Sequence, residues 1–419
     1  MMPKLILHVV LRQLWAKKGL HGVAVMGVML GVLTHVAISG LMNGTTETFF
    51  TTILQISPHV VLKNEAADKD RTARPPGFEG PSAIAYVRAP RGESRQRIQR
   101  PFEVADQIQK LADVEASTPF VAGNAVVTSG ARERPVEIRG VDPKRQDLVT
   151  PLRAYIRAGS YDALAQVPDG ILIGTLLAQH LGVKVGERVS CAGQGAVSHL
   201  VVVGLFETNV SAADRGRVYA NLRQAQALLG KGDAVDGIEM RLRDTARAPA
   251  VTEIVERTFG YDAESWQEAN ANFLGLIAQQ EIAVNLVIAA LLAVGGFGIL
   301  SIQIMIVGQK RRDIAILRST GFRRADILAI FLVQGVAVAL VGSAIGSLAG
   351  HFAVLWMRTV RAGGDGGTVF RTEFLPVTES LGTYLAGATF ATLVGILASL
   401  VPAWRASRVE PVDVLRGHA

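Results

Sequence analysis

The sequence has a single cysteine, Cys191, among 419 residues. One cysteine cannot form a disulfide within the chain, and this one fits no metal-binding motif, so we interpret it as a small buried apolar residue. The chain also lacks the GxxxxGK[ST] phosphate loop, the GxSxG nucleophile elbow and the HExxH zinc motif. These absences predict a protein with no catalytic residues, no metal site, no bound cofactor and no ATPase activity of its own.

Asp, Glu, Lys and Arg are absent from four long stretches, at residues 19–42, 282–309, 327–357 and 380–404. Each stretch exceeds the roughly 20 apolar residues that a helix needs to cross a hydrocarbon core of about 30 Å. Backbone polar groups in lipid must be satisfied within the segment, so each stretch is predicted to be a helix. The first is long for a cleaved signal peptide and has no clear small-x-small cleavage site, so we expect it to be retained. The fold class predicted is a membrane protein with a four-helix transmembrane bundle, at 19–42, 282–308, 327–357 and 380–404.

Basic residues beside these stretches predict the orientation of the chain. Lys17 and Lys18 precede the first stretch, six Lys and Arg residues lie between the second and third, and Arg405 and Arg408 follow the fourth. Segments 1–18, 309–326 and 405–419 are therefore placed in the cytoplasm, and segments 43–281 and 358–379 outside it. This distribution accounts for the net charge of +7, so no nucleic acid partner is expected.

Glycines recur at four-residue spacing in two predicted spans. Gly342, Gly346 and Gly350 lie in the third span, and Gly27 and Gly31 lie in the first. Small residues on one ridge let two helices approach closely. Two interpretations stay open, namely a tight helix seam that can slide or rock, and the ordinary use of glycine in membrane helices.

Three histidines, His21, His35 and His351, also lie within predicted spans. Since no span contains a carboxylate, a proton relay is not expected, and these histidines are interpreted as packed or interfacial. The same absence argues against an ion-coupled secondary transporter.

The large segment 43–281 mixes predicted strands and helices without a repeat, which favours an α+β domain over a parallel sheet. Strands are predicted at 59–63, 124–128, 136–139, 200–205 and 238–242, and helices at 101–111, 176–181 and 250–259. Residues 71–100 are rich in Pro, Gly and Arg and are predicted to be a loop. A docking arm for a partner is the alternative.

The loop between the second and third spans reads QKRRDIAILRSTGFRRADILAIF from residue 309. Its apolar residues suit a short amphipathic helix lying at the membrane exit, with Asp313 near the N-terminus, where the helix dipole favours negative charge. Such a helix suits docking into a groove on a partner protein, and a solvated basic loop is the alternative. The predicted coupling residues are Lys310, Arg311, Arg312, Asp313, Ile314, Leu317, Arg318 and Gly321.

Two motifs in this chain resemble those of the FtsX-like and MacB-like ABC permeases. The loop KRRDIAILRSTGF is similar to the coupling helix of that family, and the ending PAWRASRVEPVDVLR, from Pro402, is similar to its C-terminal motif. The order of one span, a large outer domain and three more spans is also similar. Within the family, the LMNG segment at 41–44, ISPHVVL at 56–62 and GILIGTLLAQHLGVKVGERV at 170–189 most resemble the lipoprotein-releasing (Lol-type) permeases. Residues 71–100 have no counterpart in that pattern.

The resemblance implies a multi-pass permease subunit in the bacterial inner membrane, with its large domain in the periplasm. It implies a partner ABC ATPase in two copies, which uses ATP and Mg²⁺, and a second permease chain that is identical or homologous. Expected ligands are membrane lipids, a lipoprotein substrate and a periplasmic carrier.

The first two spans are the family's candidates for a substrate cavity, here Val36, Ile38, Leu41, Met42, Ile282, Leu286 and Ile288. Two other functions stay open. One is MacB-like export of small molecules or peptides, and the other is FtsX-like signalling that controls a cell-wall hydrolase.

Overall fold

A computed structural model describes residues 10, 12, 18–66, 97–362 and 372–410. Most of the predicted cytoplasmic segment 1–18, most of the predicted loop at 71–100 and the tail from residue 411 lie outside the described residues. The chain divides into two compact units. The first comprises Met1–Thr48, Gly275–Ala362 and Glu373–Ala419, and the second comprises Phe49–Leu274 and Gly363–Thr372.

Among the described residues, four helices are long and apolar enough to cross a membrane. They are α1 (Lys18–Ile56), α10 (Ala271–Gln309), α12 (Arg324–Met357) and α13 (Leu381–Ser407), and the short helix α11 (Arg311–Ser319) lies between α10 and α12. The predicted class, a four-helix transmembrane bundle with a large α+β domain, is confirmed.

The first two long helices exceed the predicted spans. Each has 39 residues, which corresponds to about 58 Å at 1.5 Å per residue. Helix α1 continues 14 residues beyond Met42 because no proline or other strong breaker interrupts it before Ser57 and Pro58. A residue that precedes proline is disfavoured in the α conformation, so the helix ends there.

The second unit is built on one ten-stranded mixed sheet, in the order β10-β1-β9-β2-β3-β8-β5-β7-β4, with β6 paired to β2 and β7. The strands are β1 (Val60–Ala66), β2 (Val114–Ser129), β3 (Arg132–Val141), β4 (Ile156–Gly159), β5 (Gly170–Gly174), β6 (Arg188–Ala192), β7 (Val197–Phe206), β8 (Arg217–Asn221), β9 (Gly237–Leu242) and β10 (Tyr261–Ser265). Only the pairs β3–β8 and β5–β7 are parallel. The mixture agrees with the prediction of an α+β domain.

Short helices connect and cover these strands. They are α2 (Pro101–Ile108), α3 (Pro143–Val149), α4 (Ala163–Gln166), α5 (Thr175–Leu181), α6 (Ser211–Gly216), α7 (Leu222–Leu228), α8 (Ala248–Phe259) and α9 (Trp266–Ala269). Helix α5 ends at Gly182, whose φ of 70° is a left-handed conformation that glycine adopts without a Cβ clash. Apolar residues from β2, β3, β5 to β8, α5 and α7 form the largest core of this unit, which includes Cys191.

Candidate coupling and transport site

The short helix α11 turns most of its apolar residues to one side, Ile316 being the exception. Ile314 is 3% exposed and Ala315 is fully buried, and Leu317 and Phe322 pack against the same core as the long helices. This inward face explains why a sequence with so many charges folds as a helix here, since the bundle supplies the apolar surface that the helix needs.

Ile314 and Leu317, two of the predicted coupling residues, contribute to the apolar core of the long helices. Both side chains face the protein's own helices, so they fix α11 to the bundle. The exposed surface of α11 includes Arg311, Arg312 and Ile316, and Ile316 is 47% exposed. Lys310 and Asp313, also predicted coupling residues, form an ion pair of 3.4 Å at the start of the helix.

A hydrogen bond at the end of α11 connects the two motifs that carry the family resemblance. Arg318 donates from Nη1 to the carbonyl oxygen of Val409 at 2.7 Å, just beyond α13. Gly321 has a φ of 104°, which reverses the chain between α11 and α12. The Asp326 carboxylate then accepts from the Arg323 backbone N–H at 2.8 Å and caps α12.

The three glycines predicted to support helix packing all lie against α1. A Cβ built on Gly342, Gly346 or Gly350 would lie 2.7 to 2.9 Å from a Cβ of α1, those of Val28, Val32 and Val36 respectively. Contacts this short leave no room for a methyl group, so glycine is required at each position for the two helices to approach. Gly27 and Gly31 instead face α10, at Gly295 and Leu292.

The outer part of α1 is held by the extended segment that precedes α13. Thr378 donates its backbone N–H to the carbonyl oxygen of Gly40 at 3.0 Å and its hydroxyl to Glu47 at 2.8 Å. A Cβ on Gly44 would lie 2.2 Å from the carbonyl oxygen of Pro376. The glycine that ends the LMNG segment is therefore required by a backbone contact, which sequence reasoning did not identify.

Each histidine of the spans has a polar partner. His21 Nε2 accepts from the Gln334 amide at 3.0 Å, and His35 Nε2 donates to the carbonyl oxygen of Thr383 at 3.1 Å. His351 lies 2.9 Å from Glu379, one residue outside the predicted fourth span. Packed histidines were predicted, but the carboxylate partner of His351 was missed because it comes from a loop.

The seven predicted cavity residues differ in exposure in this chain. Val36 and Ile288 are buried within the helix core, and Val36 fills the notch at Gly350. Ile282 and Leu286 are 63% and 66% exposed on α10. The remaining three, Ile38, Leu41 and Met42, are half-buried.

In the second unit, the side chains of Arg139 and Gln146 both bond to the buried side chain of Glu239. Across the described residues, no group of three or more His, Cys, Asp or Glu side chains could hold a metal ion. Arg139 and Glu239 form a buried ion pair of 2.5 Å, and Gln146 donates its amide to Glu239 at 2.9 Å. Burial raises the pKa of the Cys191 thiol to about 11, which makes it an inert core residue.

Comparison with known proteins identifies two family domains. Residues 22–258 match the MacB-like periplasmic core domain, and residues 285–411 match the FtsX-like permease C-terminal domain. The lipoprotein-releasing system transmembrane protein LolC of Xylella fastidiosa is 25% identical over 94% of this chain and 92% of its own length. LolE of Haemophilus influenzae is 24% identical over 94% and 93%. The macrolide export ATP-binding/permease protein MacB of Agrobacterium fabrum is 25% identical over 96% of this chain and 59% of its own length.

Proposed function

Because this chain belongs to the family of ABC transporter permeases with a MacB-like periplasmic core domain, we propose that it extracts lipoproteins from the inner membrane and delivers them to a periplasmic carrier. The observation that carries the proposal is the end-to-end match to LolC, which covers 94% of this chain and 92% of that protein. The match to MacB covers only 59% of that protein, which the name describes as both ATP-binding and permease.

The proposal assigns a topology to the two units. Both ends of α11, the start of α12 and the end of α13 carry Arg residues, which suits the cytoplasmic side. The sheet unit then lies in the periplasm. The surface formed by Arg311, Arg312 and Ile316 docks a separate ATPase, which binds ATP and Mg²⁺, and two copies of that ATPase serve two permease chains.

A lipidated substrate sets the physical problem that such a machine must solve. Each CH₂ group taken from the bilayer into water costs about 0.8 kcal/mol, so two or three acyl chains cost tens of kcal/mol. The chains must therefore pass through an apolar environment before they reach a carrier. The exposed apolar residues of α10, which include Ile282 and Leu286, supply such a surface when a second permease chain faces them.

The test uses the permease with its ATPase in nanodiscs that contain a fluorescent lipoprotein. We expect ATP to move the lipoprotein from the disc to a soluble carrier, and a non-hydrolysable ATP analogue to leave it there. MacB-like export is the second candidate, supported by the match over 96% of this chain. Retention of the lipoprotein together with ATP-stimulated release of a small amphipathic molecule would favour that candidate and reject ours.

The docking surface has its own test, with a matched control. Ile316→Asp is expected to abolish co-purification of the ATPase, because it places a charge at the centre of the outward face of α11. Ile254→Asp is the control, since Ile254 is 45% exposed on α8, close to the 47% of Ile316, but belongs to the sheet unit. Equal ATPase recovery from both variants would show that α11 does not dock the ATPase.

A further inference from the structure

A buried polar pair joins the start of α1 to α12, about three turns into the latter helix. His21 is 6% exposed and Gln334 is fully buried, and the Gln334 amide donates to His21 Nε2 at 3.0 Å. The Oε1 atom of Gln334 is buried and has no hydrogen-bond partner within the described part of the chain. Polar atoms in an apolar bundle are costly, and a single buried polar pair is a known means of fixing the register of two helices.

The apolar contacts beyond this pair follow one pattern of sizes. Val28, Val32 and Val36 of α1 fit against Gly342, Gly346 and Gly350 of α12, and both sets advance in the same direction, so the helices are parallel. At the next level the sizes are exchanged. Here Gly40 of α1 faces Val354 of α12, and a Cβ on Gly40 would lie 3.2 Å from a Val354 methyl group.

Because the Val and Gly positions are exchanged at this level, α1 and α12 cannot slide along each other without a clash or a gap. A shift of four residues, about 6 Å along the axis, in one direction places Val36 against Val354, where two branched side chains compete for one space. The opposite shift places Gly40 against Gly350 and leaves a gap. Either shift also separates His21 from Gln334. Overpacking and cavities both destabilise a close-packed interface.

We propose that the His21–Gln334 pair and the exchanged Val and Gly contacts hold α1 and α12 in a single register, so that the two helices move as one body through the transport cycle. Gln334 is thus a positioning residue. Of the two motions that glycine spacing alone allowed, sliding is excluded and the pair can only rock together. The inference holds for any substrate, so it stands or falls separately from lipoprotein release.

Distance measurements between spin labels test the proposal in the complete permease–ATPase complex. Labels replace Leu30 and Leu348, which are 52% and 59% exposed, in a Cys191→Ala background. The distance is compared without nucleotide and after trapping with ATP and vanadate, with retained nucleotide measured in the same sample. We expect one distance in both states. A second distance that appears on trapping, as a four-residue slip of about 6 Å would produce, overturns the proposal.

A single variant and a compensating double variant test whether the matched sizes of Val36 and Gly350 set the register. A Cβ on Gly350 meets only atoms of the Val36 side chain, so Gly350→Val should separate the helices and the double variant Val36→Gly with Gly350→Val should restore the original distance. Gly22→Val is the control, because nothing lies within 4 Å of a Cβ at Gly22. If the double variant shows the same changed distance as Gly350→Val alone, the matching of Val and Gly sizes does not determine the register.

The polar pair is tested by exchange. Gln334→Leu should lower the melting temperature of the complex and broaden the measured distance, and His21→Gln combined with Gln334→His should recover both. Loss of the wild-type distance in the exchanged variant, with folding retained, would show that the hydrogen bond does not set the register.

Discussion

His59 connects the end of α1 to the sheet through two buried hydrogen bonds, and the one that Nδ1 accepts requires a neutral imidazole. Nδ1 accepts from the backbone N–H of Leu242 at 3.0 Å, and Nε2 donates to the carbonyl oxygen of Leu54 at 3.2 Å. The side chain is 4% exposed. Burial lowers the pKa of His59, and although the bond to Leu54 opposes this, the nearby charge of Arg241 adds to the lowering.

Two consequences follow for stability. His59→Ala leaves two backbone groups without partners, at roughly 1–3 kcal/mol each, so the sheet unit should lose about 2–6 kcal/mol. Because the folded pKa lies below the unfolded one, the unfolded state binds the proton more readily. Stability is therefore full above the ordinary histidine pKa of about 6.5 and falls by up to about 1.4 kcal/mol for each pH unit below it, until the folded pKa is reached.

Hydrogen exchange of the Leu242 amide in the full chain, as protection factors at pH 7.5 and pH 5.5, measures this directly. The wild type should lose protection at pH 5.5. His59→Asn is the control, because its Oδ1 can accept from Leu242 without titrating, and it should show a constant, smaller protection. Equal losses in both proteins between the two pH values would refute the assignment of the effect to His59.

Three further predictions concern buried groups. Glu239→Ala should lower the free energy of unfolding, measured by chemical denaturation, by about 3–5 kcal/mol, because it leaves the largely buried charge of Arg139 without its partner. Glu253→Ala is the control: it removes an exposed ion pair with Arg257 and should change that free energy by less than about 1 kcal/mol. Gly44→Ala should lower the melting temperature, since its Cβ would overlap the carbonyl of Pro376, and Gly308→Ala, which meets nothing within 4 Å, should not. Cys191, with its pKa near 11, should resist maleimide at pH 7.5 until the protein is denatured, so labelling of the native protein would contradict its burial.

The sequence was most informative where one physical rule dominated. The lack of charge predicted the four long helices, because lipid tolerates few alternatives. It did not show where α1 ends or where α10 begins, since a helix continues beyond its apolar stretch for as long as no breaker stops it. The strand β2 was predicted only at 124–128 because Pro119 and Gly123 interrupt its pattern, yet pairing with β9 and β3 carries the strand through both.

The coupling segment shows a different limit. Apolar spacing predicted a helix, and α11 is one, but the spacing of Ile314, Ile316 and Leu317 does not reveal which side meets the protein's own bundle. Apolar side chains suit a partner's groove and an internal core equally. Likewise, four-residue spacing predicted that Gly342, Gly346 and Gly350 face a helix, but the valines that fill them lie some 300 residues earlier, beyond the reach of any local pattern.

The position of β1 in the sheet has a consequence for biogenesis. Its neighbours are β9 and β10, and Val60 pairs with Met240 on one side and Ser265 on the other. The first strand to emerge must therefore wait for roughly 200 residues of synthesis, which at about 5–20 residues per second takes some 10–40 s. During that interval its backbone hydrogen-bonding groups lack their strand partners, so newly made chains are vulnerable to mispairing and proteolysis until residue 265 has been synthesised.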